Sequence, residues 1–475
     1  MSNLKNILSG IEAITADSRA VGPGSLFVAV KGDKFDGHDY IETAIKAGAK
    51  AIVAERLPNQ LTPRVHYLQV ADSHVALAEL AANFYDHPST KLRLVGITGT
   101  NGKTTTATLL ARLFTKLGYR TGLLSTVRNE IGDQILPASH TTPDVIELNR
   151  LLSQMAAASC RYAFMEVSSH AVVQKRIAGL DFAGGIFTNL THDHLDYHQT
   201  FEAYRQAKQD FFTLLPKTVF ALSNLDDLNG KAMLATTKAQ KKYYAIEKSA
   251  DFQAKIISND FRGLRLEFDG QVVQTKFIGA FNGYNLLAVY AAARLLGVDR
   301  AKIIKILPTL EPVEGRFQYF RTETGLTAIV DYAHTPDAVQ NVLATIHDIK
   351  TPESKIITVI GCGGDRDRAK RPMMAQIAAA GSNLTILTSD NPRSEAPLAI
   401  IAEMQAGLTE KKEAEVETIV DRRAAIKRAV EVARPNDIIL IAGKGHEKYQ
   451  ESKGVKQPFD DYAIVKTYIY DAKRR

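Results

Sequence analysis

One passage constrains the fold more than any other: Gly96-Ile97-Thr98-Gly99-Thr100-Asn101-Gly102-Lys103-Thr104-Thr105. It is preceded by LRLVGIT, an apolar run of the kind found in buried strands. It is followed by KTTTATLLARLFTKLG, whose apolar positions recur with helical spacing. A strand, a glycine-rich loop and a helix in that order bring backbone N–H groups and a helix N-terminus around an anion. Phosphate binding is the chemistry this suits: Lys103 reaches β- and γ-phosphates and the Thr104 hydroxyl can ligate magnesium. The spacing departs from the standard Walker pattern, because Ile97 stands five residues before Gly102 where that pattern has glycine. The alternative is an ordinary tight turn between strand and helix.

Around this unit the chain reads as α/β throughout. At 475 residues it is long enough for two to four domains of about 150 residues each. SLFVAV, KGDKFDGHDY, IETAIKAGA and KAIVAE read as strand, loop, helix and strand, and His87-Pro88-Ser89 stops the helix that follows them. This places a first domain at 1–88. A central domain at 89–313 continues with strands at YAFMEV, GGIFTNL and TVFALSN and a helix at FEAYRQAKQDFFTLL. Alternation in LRLEF and VVQTKF around Asp269-Gly270 predicts a small antiparallel hairpin attached to its parallel sheet. From the turn-rich PVEGR onward, 314–475 repeats strand then helix at LTAIVDYA, KIITVIGCGG, NLTILTSDNP and DIILIAGKG. Such alternation predicts a Rossmann-like, doubly wound parallel sheet with its ligands beyond the carboxyl ends of the strands.

Composition excludes several classes. With 45% hydrophobic and 23% charged residues, the bulk of the chain is neither disordered nor fibrous. The net charge of +7, from 59 basic and 52 acidic residues, is spread along the chain without a basic stripe interleaved with aromatics. That favours anionic small molecules over nucleic acid. Cys160 and Cys362 are too few for a disulfide framework or a structural zinc site. Met1 to Arg19 contains no apolar signal-peptide core, and nowhere is there an apolar run of the roughly 18 residues needed to span a bilayer. The expectation is a cytoplasmic protein without membrane partners, and nothing demands more than a monomer.

Other polar groups are ambiguous when read singly. Glu166 ends the strand FMEV and is a candidate magnesium ligand, although strand-end glutamates are commonly solvated. The loop TNLTHDHLDYH gathers His192, Asp193, His194, Asp196 and His198, yet lacks the spacing of a zinc site and reads more simply as caps and surface groups. Lys208, on a helix in AYRQAKQDFF, reads as a solvated charge. Gly361-Cys362-Gly363-Gly364 does not make a dinucleotide fingerprint. Asp390-Asn391-Pro392-Arg393 is a turn whose arginine is suited to a bidentate carboxylate contact.

In this order, TADSR, LFVAVKG, GTNGKTT, HTTPD, MEVSSHAVVQKR, TNLTHDHLDYH with AYRQAK, FNGYN, EGRF, DYAHTPD, GCGGDRDRAKR, DNPR and AGKGHE resemble the Mur ligase family of ATP-dependent amino-acid ligases over the whole chain. The resemblance implies that Gly99, Thr100, Asn101, Gly102, Lys103, Thr104 and Thr105 hold the phosphates of ATP. Thr104 and Glu166 then serve one magnesium ion and His194 a second. Lys208 is implied to be a carbamylated lysine, an anionic group formed with carbon dioxide, and Asn285, Arg316 and Asp331 to contact adenine, phosphate and ribose. Lys103, His194 and Lys208 are the implied catalytic groups.

For the substrates, the resemblance implies UDP-N-acetylmuramoyl-L-alanyl-D-glutamate and meso-diaminopimelate. Ala16 and Ser18, with Asp33, Lys34 and Phe35 by position, match uridine-nucleotide contacts. His140, Thr141, Thr142, Ser168, Gln174 and Arg176 match positions that hold the muramoyl dipeptide. Arg366, Asp390, Asn391, Pro392, Arg393, Gly443 and Glu447 match those that hold the incoming amino acid. A guanidinium at Arg393 offers a planar fork to the far carboxylate of diaminopimelate and repels the terminal ammonium of lysine. The alternatives are the same reaction with L-lysine and a folylpolyglutamate synthetase-like ligase, against which LFVAVKG and DNPR argue. A P-loop switch protein is disfavoured by the lack of a guanine-selecting N-K-x-D.

Overall fold

The computed structural model describes residues 6–32, 35–138, 140–408 and 415–472. Asp33 and Lys34 lie outside the described residues. Three sheets of four or more strands follow one another along the described residues. The first is fully parallel and four-stranded, in the order Ala13–Thr15, Ser25–Val28, Ala51–Ala54, His66–Gln69. SLFV and AIVA are buried along their whole length, as expected of parallel strands covered on both faces. The helix after them runs over Ser73–Phe84, and Pro88 opens a short 3-10 turn.

The central sheet has eleven strands, and Arg93–Thr98 lies near its middle, between Gly184–Phe187 and Tyr162–Glu166. Successive residues of that strand go to opposite faces. Val95 and Ile97 pack with the helices Lys103–Lys116 and Ala280–Leu295. Leu94 packs on the other side with Val145–Ala157 and Phe201–Thr213. At one edge Gly263–Phe268 and Gln271–Gln274 form the expected hairpin. Its turn residues Asp269 and Gly270 have φ of 47° and 79°, the pair of positive angles that a two-residue hairpin turn favours. A third antiparallel partner, Phe252–Asp260, joins this hairpin to the parallel strands. The opposite edge carries a second hairpin, Asn129–Ile131 with Gln134–Leu136, which the sequence reading does not contain.

The third sheet has the order Gln318–Arg321, Thr327–Asp331, Ile438–Ala442, Ile356–Ile360, Leu384–Leu387, Glu415–Thr418. All neighbours are parallel except the first pair. Two expectations need correction. Glu415–Thr418 is a further strand whose residues are not buried, so it lacks the apolar signature used to find the others. Moreover, Ile438–Ala442 does not lead directly into a helix. A hairpin of Tyr449–Ser452 and Val455–Pro458 intervenes before Asp461–Ala472. Among the described residues no helix is long and apolar enough to cross a membrane.

Candidate active site

Loops from the carboxyl ends of the central and third sheets line one cavity of about 500 Å³. It begins at the glycine loop. Gly99 and Gly102 adopt φ of 149° and 83°, and a Cβ at Gly99 would fall 1.9 Å from Thr188 Oγ1. Only glycine fits that close approach. Thr100 to Thr105 line the cavity, with Lys103 opening the helix behind them. Its Nζ is folded back onto the carbonyls of Gly99 and Thr100, at 2.9 and 2.7 Å.

Glu166 and Lys208 are both buried, each 1% exposed, against the solvated reading that each invites when taken alone. Glu166 Oε1 accepts the Thr126 N–H at 2.7 Å, while Oε2 is buried without a hydrogen-bond partner. An unpaired buried carboxylate oxygen is costly, and it suits a cation. Lys208 sits on the inner face of Phe201–Thr213 because Tyr204, Ala207, Phe211 and Phe212 on the same helix are core residues. Its Nζ donates to Gly99 O at 2.8 Å and lies 4.6 Å from the centre of the Tyr204 ring. Burial, and then the neighbouring Lys103, push the amine well below its ordinary pKa.

The histidine-rich loop contributes selectively. His194 has φ of 54° at the start of the turn Leu195–His198, and it lines the cavity together with Asp193. Desolvation, opposed by Asp193, pushes its imidazole down to about 3, so the ring is neutral near pH 7 and available as a ligand. His198 turns inward and contacts Ser169 Oγ at 2.9 Å, and His192 is exposed. Among the described residues no group of three or more His, Cys, Asp or Glu side chains is arranged to hold a metal ion without further ligands.

A cluster of hydroxyls and one arginine forms the next wall. Thr142 Oγ1 donates to Glu166 O at 2.8 Å and accepts the Ser168 N–H at 3.1 Å. Arg176 donates to Thr142 O at 2.8 Å and grips Gln174 Oε1. His140, Thr141, Thr142, Ser168 and Arg176 all face the cavity, whereas Gln174 stands behind Arg176.

The third sheet supplies the remaining side. Arg366, Asp390, Asn391, Arg393, Gly443 and Glu447 line it, and Pro392 does not. Arg393 has φ of 49°, and its Nη1 donates to Gly364 O at 2.7 Å. Asp390 Oδ2 is buried without a hydrogen bond, 3.9 Å from Nη1 of the fully buried Arg422. A Cβ at Gly443 would come within 2.6 Å of that oxygen.

A second cavity of about 340 Å³ adjoins the first and is lined by Asn285, Arg316 and Asp331 along with Gly102 and Thr105. Arg316 faces both cavities. Its guanidinium donates to Thr104 Oγ1 at 3.2 Å and lies 4.5 Å from the centre of the Tyr332 ring. Asp331 accepts the N–H groups of Phe317 and Ala333, at 2.6 and 2.7 Å, and burial raises its pKa. Ala16 and Ser18 follow the strand Ala13–Thr15 of the first sheet, Ser18 opening the short turn Ser18–Ala20, and line neither cavity, and Phe35 is exposed.

Several groups here have no counterpart in the sequence reading. Asp337 bridges the sheets by accepting from Asn101 Nδ2 at 2.9 Å and Thr191 Oγ1 at 3.0 Å. Its presence in DYAHTPD, at the start of the helix Pro336–Ile349, was the available signal. Arg371 is fully buried and joins Gly363 O to Glu395 and Glu403. Nothing in a linear pattern marks such a cation as internal.

Comparison with known proteins yields a consistent set of similarities. Three family models match: Mur ligase family, catalytic domain, over residues 10–85; Mur ligase middle domain over 97–293; and Mur ligase, glutamate ligase domain, over 315–445. A UDP-N-acetylmuramoyl-L-alanyl-D-glutamate--2,6-diaminopimelate ligase of Cytophaga hutchinsonii is 55% identical over 460 residues, covering 97% of this chain and 94% of that protein. The protein of the same name from Phocaeicola vulgatus is 54% identical over 456 residues, covering 96% and 94%. A solved structure bearing that enzyme name aligns with a TM-score of 0.70 at 34% identity, covering 98% of this chain and 96% of the other.

Proposed function

Since the chain belongs to the Mur ligase family, we propose that it uses ATP to join meso-diaminopimelate to UDP-N-acetylmuramoyl-L-alanyl-D-glutamate, a step of peptidoglycan precursor synthesis. The observation that carries this reading is the single cavity in which the glycine loop, the buried Lys208 and Arg393 meet. On this reading residues 1–88 hold the uridine nucleotide, 89–313 hold ATP and 314–475 hold the amino acid. The enzyme works in the cytoplasm as a monomer on small molecules, with neither nucleic acid nor a membrane as partner.

The reaction has two stages. The γ-carboxylate of the D-glutamate attacks the γ-phosphate of ATP, and ADP leaves as an acyl phosphate forms. The amine of diaminopimelate then attacks the activated carbonyl, and phosphate departs from the tetrahedral intermediate. Lys103 exchanges its contacts with the Gly99 and Thr100 carbonyls for phosphate oxygens. Arg316, which faces both cavities, stabilises the charge spread over the transferring group. Arg176 and the hydroxyls of Thr141, Thr142 and Ser168 hold the dipeptide, while Arg393, Asp390 and Glu447 orient the diamine for in-line attack. No side-chain nucleophile is required.

The residues present suit magnesium. Glu166 Oε2 is buried without a partner, Thr104 lines the same cavity, and His194 is kept neutral. Thr104 and Glu166 would hold one ion and His194 a second, with a carbamate on Lys208 beside them, and the ions would neutralise triphosphate charge. Lys208 becomes that carbamate when its neutral amine adds to carbon dioxide and loses a proton. Its depressed pKa supports this, because only the free amine reacts.

Phosphate release measured with each substrate omitted in turn tests the reading. Release should require the UDP-dipeptide and diaminopimelate together, and L-lysine should replace diaminopimelate poorly. Equal rates with no amino acid present would refute it.

A further inference from the structure

Lys444, to which the mechanism gives no part, is a fully enclosed cation beside the amino-acid end of the cavity. Its side chain is 0% exposed. Nζ donates to Asn391 Oδ1 at 2.8 Å and to Glu447 Oε2 at 3.1 Å. Asn391 Nδ2 donates to the same Glu447 oxygen at 2.7 Å, and Asn391 Oδ1 also accepts the Glu451 N–H at 2.9 Å. Lys444 therefore fixes which way the Asn391 amide faces, since the flipped amide would set its NH₂ group against two donors. Asn391 and Glu447 line the cavity, whereas Lys444 stands behind them.

The charges follow from this arrangement. Asp390 Oδ2 lies 3.9 Å from Arg422, which is itself paired with the fully buried Asp461. Lys444 offsets the charge of Glu447, and Glu447 Oε1, which takes part in none of these hydrogen bonds, is left for a substrate ammonium. With Glu447 offset in this way, Arg393 and Arg366 line the cavity, Arg393 with Glu451 at 3.8 Å, and their guanidinium groups favour a carboxylate over an ammonium at the far end of the amino acid.

We propose that Lys444 is a positioning residue that sets amino-acid specificity, by locking the Asn391 amide and by cancelling the charge of Glu447. This rests on the ligase reading above. Lys444→Met keeps the length of the side chain but removes its charge. It should raise KM for meso-diaminopimelate about tenfold or more, the cost of losing hydrogen bonds to a charged donor. The kcat/KM preference for meso-diaminopimelate over L-lysine should fall by a similar factor, while KM for ATP and for the UDP-dipeptide stay at their original values. Adding Glu447→Gln to K444M should return part of the preference. A merely structural lysine would instead weaken all three substrates alike, and that result, or an unchanged preference, overturns the proposal. If K444M does not fold, Lys444→Arg serves. It keeps the charge but not the geometry, so KM for meso-diaminopimelate should rise while the preference holds, and an unaltered KM overturns the proposal. If the wild-type enzyme forms no peptide product, it is the ligase reading that fails.

Discussion

Lys208 Nζ donates to the carbonyl of Gly99 at 2.8 Å, joining the helix Phe201–Thr213 to the glycine loop at the floor of the active-site cavity. The contact brings a buried amine with a depressed pKa to the loop proposed to hold the triphosphate.

The first prediction concerns that amine. Lys208→Ala should lower turnover on the order of a hundredfold or more, the scale of removing a group that stabilises transition-state charge, and added bicarbonate should not restore it. Wild-type enzyme stripped of carbon dioxide should lose activity and regain it with bicarbonate. Normal turnover in K208A would remove the carbamate from the account.

Gly99→Ala places a methyl group 1.9 Å from Thr188 Oγ1 and 3.0 Å from Asn189 O, at a φ of 149°. It should destabilise the protein by more than about 1 kcal/mol, and it should abolish the rise in Tm that ATP gives the wild type. Thermal unfolding with and without ATP checks both. A variant stabilised by ATP as strongly as the wild type would contradict the role of the loop.

Acid should weaken the third sheet's loops through Glu395. Its carboxylate accepts from Arg371 at 2.7 and 2.8 Å and from the Asp365 N–H at 2.6 Å. Hydrogen bonding to Arg371 holds its pKa near 2, against an ordinary value of 4.5. A carboxyl depressed in the folded state stabilises it fully above the unfolded value and loses that contribution as pH falls toward the folded one. Glu395→Gln should therefore be less stable than wild type at neutral pH. The deficit should shrink from pH 4.5 down toward 2, as read from urea midpoints. A deficit independent of pH over that window would exclude the ionised pair.

Arg393→Met should raise KM for meso-diaminopimelate roughly ten- to a hundredfold, the range for a lost charge-assisted contact, and leave L-lysine no worse a substrate. Steady-state kinetics with both amino acids decide this. An equal loss for both would show that Arg393 shapes its loop, which its bond to Gly364 O also allows, without reading the far carboxylate.

Much of this arrangement is legible in the sequence because it is local. The strand Arg93–Thr98, the glycine turn and the helix Lys103–Lys116 follow from apolar spacing and three glycines, and Asp269-Gly270 announces its hairpin. Glu415–Thr418, Gln318–Arg321 and the hairpin at Tyr449–Pro458 have no buried residues. They hold their places through backbone pairing with neighbours, which leaves no periodic trace. The buried cations are hidden for a related reason. Lys208, Arg371, Arg422 and Lys444 are each no more than 1% exposed, but a charged residue is normally read as solvated. Only the fold reveals partners such as Asp461, which lies 39 positions from Arg422.

The central claim is that ATP activates the D-glutamate carboxyl before the diamine attacks it. Labelling that γ-carboxylate with heavy oxygen and following the label by mass spectrometry tests this most directly. The account predicts one labelled oxygen in the phosphate released for each peptide bond formed. Peptide product accompanied by wholly unlabelled phosphate would contradict it.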